Sequence, residues 1–202
     1  MADSRAGRAR ELASAASSAA DCTRCELYRR ATQVVFGEGR VDVPLMLVGE
    51  QPGDQEDRAG HPFVGPAGRV IDEALHEAGV SADDVYVTNA VKHFKWEARG
   101  KRRLHKRPDV AEVLACHTWL EHEIDLVRPR LLVCLGATAA RAVLGRPATI
   151  SKVRGEVLAD PEGHPVVVTI HPSAVLRARE QDDRAAMRSG LAADLALARD
   201  AA

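Results

Sequence analysis

The chain has 202 residues, 46% of them hydrophobic, which supports one well-buried core and leads us to expect a single domain over 1–202. No window approaches the roughly 18 consecutive apolar residues of a membrane span, and MADSRAGRARELASAASSAA lacks the apolar centre of a secretory leader, so a cytoplasmic protein without a membrane is expected. With 28 Lys and Arg against 29 Asp and Glu, the net charge of -1 excludes a uniformly basic nucleic-acid coat, so any basic function must be local.

In chain order, residues from about 4 to 20 predict a helix with a small-residue face, leading straight into Cys22-Thr-Arg-Cys25. The chain has four cysteines, the others being Cys116 and Cys134, and in a cytosolic protein such a set points to a metal or redox site before disulfides. Zinc, iron-sulfur and dithiol sites all use CxxC. A thioredoxin-type pair stands between a strand and a helix, whereas this one follows a helix, so a metal is favoured. Leu27 and Tyr28 are expected to pack its edge against the body.

Residues 45–48 are four apolar residues in a row, which suits a strand buried on both faces. The chain turns at Gly49 into an acidic loop with Glu50, Gln51, Asp54, Glu56 and Asp57. Pro66 then opens a helix whose positions Val70, Ile71, Ala74, Leu75 and Ala78 keep a helical period until Gly79. Residues 85–88 form a second strand that delivers Asn89. Further strands are expected at 131–135 and at 166–170, the last ending in His171-Pro172-Ser173. Helices fill 108–127, 137–144, 174–179 and 183–199. This alternation predicts an α/β protein, a parallel doubly wound sheet of about four strands flanked by helices. Glu50, Gln51, Asn89 and His171 all stand just past carboxyl ends of strands, the edge where such sheets bind ligands.

Residues 91–107, VKHFKWEARGKRRLHKR, show neither helical nor strand period and are long for a connection. They hold Lys92, Lys95, Arg99, Lys101, Arg102, Arg103, Lys106 and Arg107, with Phe94 and Trp96 interleaved. That mixture suits a phosphate backbone and unstacked bases.

Taken together, GEQPGD at 49–54, HPFVGPAG at 61–68, TNAVKHFK at 88–95, KRRLH at 101–105 and HPS at 171–173 resemble the uracil-DNA glycosylase superfamily. The pattern is similar to the UdgX type, a relative of the iron-sulfur family 4 glycosylases that becomes covalently joined to uracil-containing DNA. The Gln of GEQPG, where family 4 enzymes commonly have Ala, and the inserted KRRLH loop are the most specific parts. The UdgX loop usually ends Ile-His, so Leu104 is a departure, an aliphatic swap of equal volume.

The resemblance implies that Phe63 stacks on a flipped uracil and that Asn89 reads its N3/O4 edge. An amide offers one donor and one acceptor, which fits uracil and mismatches the amine of cytosine. Gly49 and Asp54 are implied to complete the uracil pocket, and Lys92, Lys101, Arg102, Arg103 and Ser173 to meet the DNA. Extruding a base costs least from single strands, so single-stranded uracil-containing DNA is the expected partner of a monomeric protein.

His171 is implied to donate to uracil O2 as the base leaves, and Glu50 to stabilise the oxocarbenium-like sugar or orient the nucleophile. His105 is implied to take the place of water at C1′, with Glu50 and Gln51 orienting it and Arg103 bracing the loop and contacting phosphate. The same resemblance implies a [4Fe-4S] cluster on Cys22, Cys25, His93 and Cys116, with Cys134 a core residue of its strand; zinc on the same Cys3His set is the other reading. Three functions therefore compete: a glycosylase that traps itself on its product, an ordinary turnover glycosylase, and a non-catalytic iron-sulfur module that binds single strands.

Overall fold

The computed structural model describes residues 4–202. Its helices are α1 (Arg5–Ala19), α2 (Asp54–Ala59), α3 (Pro66–Glu77), α4 (Val110–Val127), α5 (Ala137–Leu144), α6 (Ile150–Val153), α7 (Pro172–Arg177) and α8 (Gln181–Ala201). Strands β1 (Leu45–Gly49), β2 (Val85–Asn89), β5 (Leu131–Leu135), β6 (Val157–Ala159) and β7 (Pro165–Thr169) form a sheet of order β2-β1-β5-β7-β6. The first four pair in parallel and β6 runs antiparallel to β7. The expected fold class therefore holds, with five strands in place of four. Among the described residues no helix is long and apolar enough to cross a membrane.

The apolar runs are explained by burial on both faces. Along β1, Met46 and Val48 join one core cluster, beneath α1, α4 and α5, while Leu45 and Leu47 join the other, beneath α3 and α8. Successive side chains of a strand point to opposite faces, so a strand covered on both sides must be apolar at every position. Cys134 of β5 is fully buried in the first cluster, and burial pushes its thiol well above the usual range. It behaves as a small core hydrophobe.

Residues 91–107 depart most from expectation. They build an antiparallel hairpin, β3 (Trp96–Arg99) and β4 (Arg102–His105), turning at Gly100 and Lys101. Two residues expected to face nucleic acid are buried instead. Phe94 is 1% exposed, and so is Lys92, whose ammonium forms an ion pair with Glu123 of α4 and donates to Thr88 Oγ1 and the Asn89 carbonyl, both at 2.7 Å. Glu123 also accepts from Tyr86 Oη at 3.0 Å and Gly37 N at 2.8 Å. A buried charge pair is tolerated when its remaining valences are satisfied in this way. Lys92 is thus a core cation beneath Asn89.

Candidate active site and metal-ligand cluster

The carboxyl ends of β1, β2 and β7 open on one cleft of about 770 Å³, lined by Glu50, Asn89 and His171 from the strand ends, by Phe63 from a loop and by His105 from the end of β4. Gln51, Asp54 and Ser173 reach the same cleft. At Gly49 a Cβ would stand 2.3 Å from Asn89 Oδ1 and 2.8 Å from Phe63 Cζ, so glycine lets the amide and the ring close over the strand end. Phe63 has φ 56°, left-handed for a residue that is not glycine. A Cβ at Gly68 would lie 1.6 Å from the Phe63 carbonyl oxygen, so the HPFVGPAG spacing is what accommodates this strained turn.

His171 caps α7. Its Nδ1 accepts from Ser173 N at 3.2 Å and lies 2.7 Å from Ser173 Oγ. A nitrogen that accepts from an amide carries no proton, so the ring proton sits on Nε2. Burial lowers the pKa to about 4, with repulsion from His105 and Arg177 adding to it. His171 is therefore a neutral donor at pH 7. Ser173, expected on DNA, serves here to fix that tautomer.

His105 closes β4, opposite Trp96. Its Nε2 lies 3.4 Å from Glu50 Oε1, and its ring centroid lies 6.1 Å from that of Phe94. Partial burial lowers its pKa below the ordinary histidine value; Glu50 pulls it back up and Arg177 pushes it further down. This imidazole too is mostly neutral at pH 7.

The hairpin is held from outside. Gln51 Nε2 donates to the carbonyls of Lys95 at 3.2 Å and Lys106 at 2.9 Å, and its Oε1 accepts from Lys95 N at 2.9 Å. Gln51 thus ties both feet of the hairpin together. Its bonds run to the main chain at both ends of the hairpin that carries His105.

Arg103 donates to Asp54 and, at 2.6 Å, to Asp57 Oδ2, and its guanidinium lies 5.4 Å from the centroids of both Phe94 and Trp96. Its side chain is only 13% exposed, so it braces the loop and is not free to contact phosphate. Asp54, expected to face uracil, is the partner of Arg103 and Arg58. Arg30 stacks on Trp96 at 4.4 Å. Lys101 and Arg102 remain exposed on the hairpin, as a nucleic-acid contact requires.

Of the four expected metal ligands, Cys22 and Cys25 lie near Cys116, and His93 adjoins Lys92, whose backbone N–H bonds the Cys116 sulfur. Cys116 Sγ accepts from Lys92 N at 3.2 Å and Cys22 Sγ from Trp119 Nε1 at 3.2 Å. Burial pushes the Cys116 thiol up to about 11, and the nearby Cys25 and Cys22 add to the rise. Burial likewise raises Cys25, with Cys22 contributing. His93 is 4% exposed and its Nδ1 is buried with no hydrogen-bond partner. A buried imidazole nitrogen without a hydrogen-bond partner suits a metal ligand. Among the described residues, no three of these four bring their ligand atoms within 4.8 Å of one another.

Two groups in the cleft escape sequence reasoning, Thr138 of α5 and Arg177 of α7. Thr138 follows β5 as Glu50 follows β1, and that strand-end position is the signal that could have found it.

A mostly parallel sheet flanked by helices, with polar residues gathered at its carboxyl edge, defines an α/β protein, and the chain belongs to the uracil DNA glycosylase superfamily, whose model it matches over residues 36–196. It is 39% identical over 164 residues to the type-4 uracil-DNA glycosylase of Thermotoga maritima, covering 81% of this chain and 82% of that protein. To the type-4 enzyme of Pyrobaculum aerophilum it is 34% identical over 188 residues, covering 88% and 87%. A type-5 uracil-DNA glycosylase of the latter organism is 34% identical over 152 residues, covering 67% and 63%.

Proposed function

We propose that the protein is a uracil-DNA glycosylase of the UdgX type, which excises uracil, prefers single-stranded DNA, and is left covalently joined through His105 to C1′ of the product sugar. The observation that carries this reading is His105 held over the same cleft as Asn89, Phe63 and His171, 3.4 Å from the Glu50 carboxylate. A histidine that only met phosphate would have no need of that carboxylate.

In this reading Phe63 stacks on the extruded uracil and Asn89 pairs with its edge. The C1′-N1 bond breaks with its electrons passing to the base, where the His171 Nε2 proton meets the charge growing on O2. Glu50 faces the cationic sugar. The Nε2 lone pair of His105 then forms the bond to C1′, the Nδ1 proton leaves to solvent, and uracil takes up a proton. Cys22, Cys25, Cys116 and His93 would hold a [4Fe-4S] cluster, which when bound would tie the turn after α1, the root of the hairpin and α4 together. Exposed Lys101 and Arg102 provide the phosphate contacts, so encounter weakens with salt while the covalent product survives it. The chain acts as one domain and as a monomer.

Incubation with uracil-containing single-stranded DNA is expected to give a protein-DNA band that resists denaturation, absent without uracil. His105→Ser is expected to lose the band and to release abasic DNA. Accumulation of abasic DNA over many turnovers by the unaltered protein, with no band, would leave an ordinary glycosylase.

Capture should also hold its full rate at neutral pH. Because the His105 pKa is lowered, the ring stays unprotonated down through the ordinary histidine range of about 6.5. The acid limb of a capture-rate profile is therefore expected below that value; a limb above it would contradict the neutral nucleophile.

A further inference from the structure

Thr138 is the second residue of α5 and is 4% exposed. Its Oγ1 donates to Glu50 Oε2 and accepts from Arg107 Nε at 3.1 Å, while that guanidinium nitrogen lies 3.7 Å from Glu50 Oε2. A hydroxyl has one proton, and a guanidinium can only donate, so the Thr138 proton is committed to the carboxylate. The result is a directed chain, Arg107 to Thr138 to Glu50, which occupies Oε2 and leaves Oε1 facing His105 Nε2 at 3.4 Å.

We propose that Thr138 is a positioning residue that sets the Glu50 carboxylate, so that one oxygen is tied back to α5 and the other is presented to His105 and to the reacting sugar. The inference rests on the uracil-excising reading and deepens it. Remove the hydroxyl, and Glu50 keeps a cation within 3.7 Å but no ligand that fixes its rotation. The carboxylate then turns toward Arg107, whose side chain is 65% exposed and free to follow it. What is lost is the direction of the charge rather than the charge itself. Serine keeps that direction; valine, of nearly the same shape, abolishes it.

The test compares the unaltered protein with Thr138→Val and Thr138→Ser on a uracil-containing single-stranded oligonucleotide, reading single-turnover excision and capture at saturating and sub-saturating protein. Thr138→Val is expected to slow both at saturation by roughly 10- to 100-fold, as suits a lost hydrogen bond to a charged group. The half-saturating concentration should stay unchanged, the Tm should fall by no more than several °C, and Thr138→Ser should remain within about threefold of the unaltered rate. Thr138→Ala supplies the same comparison if valine does not fit the fold.

Unchanged rates in Thr138→Val would overturn the proposal. So would an equal loss in Thr138→Ser, or a loss confined to half-saturation. If the unaltered protein excises without capturing, the excision rates decide by the same criteria. If it does neither, the uracil reading fails and this inference falls with it.

Discussion

Lys92→Met is expected to lower the unfolding free energy by about 3–5 kcal/mol, the usual cost of removing one partner of a buried ion pair. Methionine fills the aliphatic space, so cavity formation contributes little and the unpaired Glu123 carboxylate dominates. Glu123 keeps bonds from Tyr86, Thr88 and Gly37, but these are neutral donors around a charge that is 0% exposed. For a chain of this length each kcal/mol moves Tm by roughly 2–4 °C, so a fall of about 10 °C is expected by calorimetry. The double change Lys92→Met with Glu123→Leu should recover most of the loss, because it removes the charge that the single change strands. A single variant that melts within a degree or two of the unaltered protein would mean that Glu123 is satisfied without Lys92.

The second large effect is chemical. His171→Ala is expected to slow uracil excision by roughly 10²- to 10³-fold with little change in Tm, since a donor aimed at developing charge acts mainly in the transition state. The hydrogen bonds from Ser173 leave Nε2 as the protonated nitrogen, and a pKa of about 4 keeps the ring neutral throughout the working range. Protonation of His171 should accordingly contribute nothing to the pH profile above about pH 5, and any acid limb there belongs to His105. Excision within tenfold of the unaltered rate in His171→Ala would remove this residue from the leaving-group role.

The sheet and its carboxyl-edge residues are legible in the sequence for a physical reason. A strand covered on both faces must be apolar throughout, and the polar residue that ends it stands out, as Glu50, Asn89 and His171 do. The hairpin β3–β4 leaves no such trace. WEAR and RRLH carry no alternation of apolar and polar residues, because what holds them is Gln51 and Arg103 making contacts across more than forty residues. β6 is a three-residue edge strand, too short for a period to register. Lys92 reads as one more cation in a basic run because its partner lies 31 residues away on another element. Thr138 is hidden differently: a threonine in the first turn of a helix is ordinary, and only the carboxylate across the cleft gives it a role.

The amide of Gln51 fastens both feet of the hairpin, so the backbone that carries His105 is held by the fold itself. On the proposed chemistry this is a matter of effective molarity. Well-oriented groups within one complex can act as though present at roughly 10⁵–10⁸ M, far above the concentration of any solvent molecule that reaches the same carbon. The contest between imidazole and water for the sugar is then settled in the scaffold, before the substrate is met.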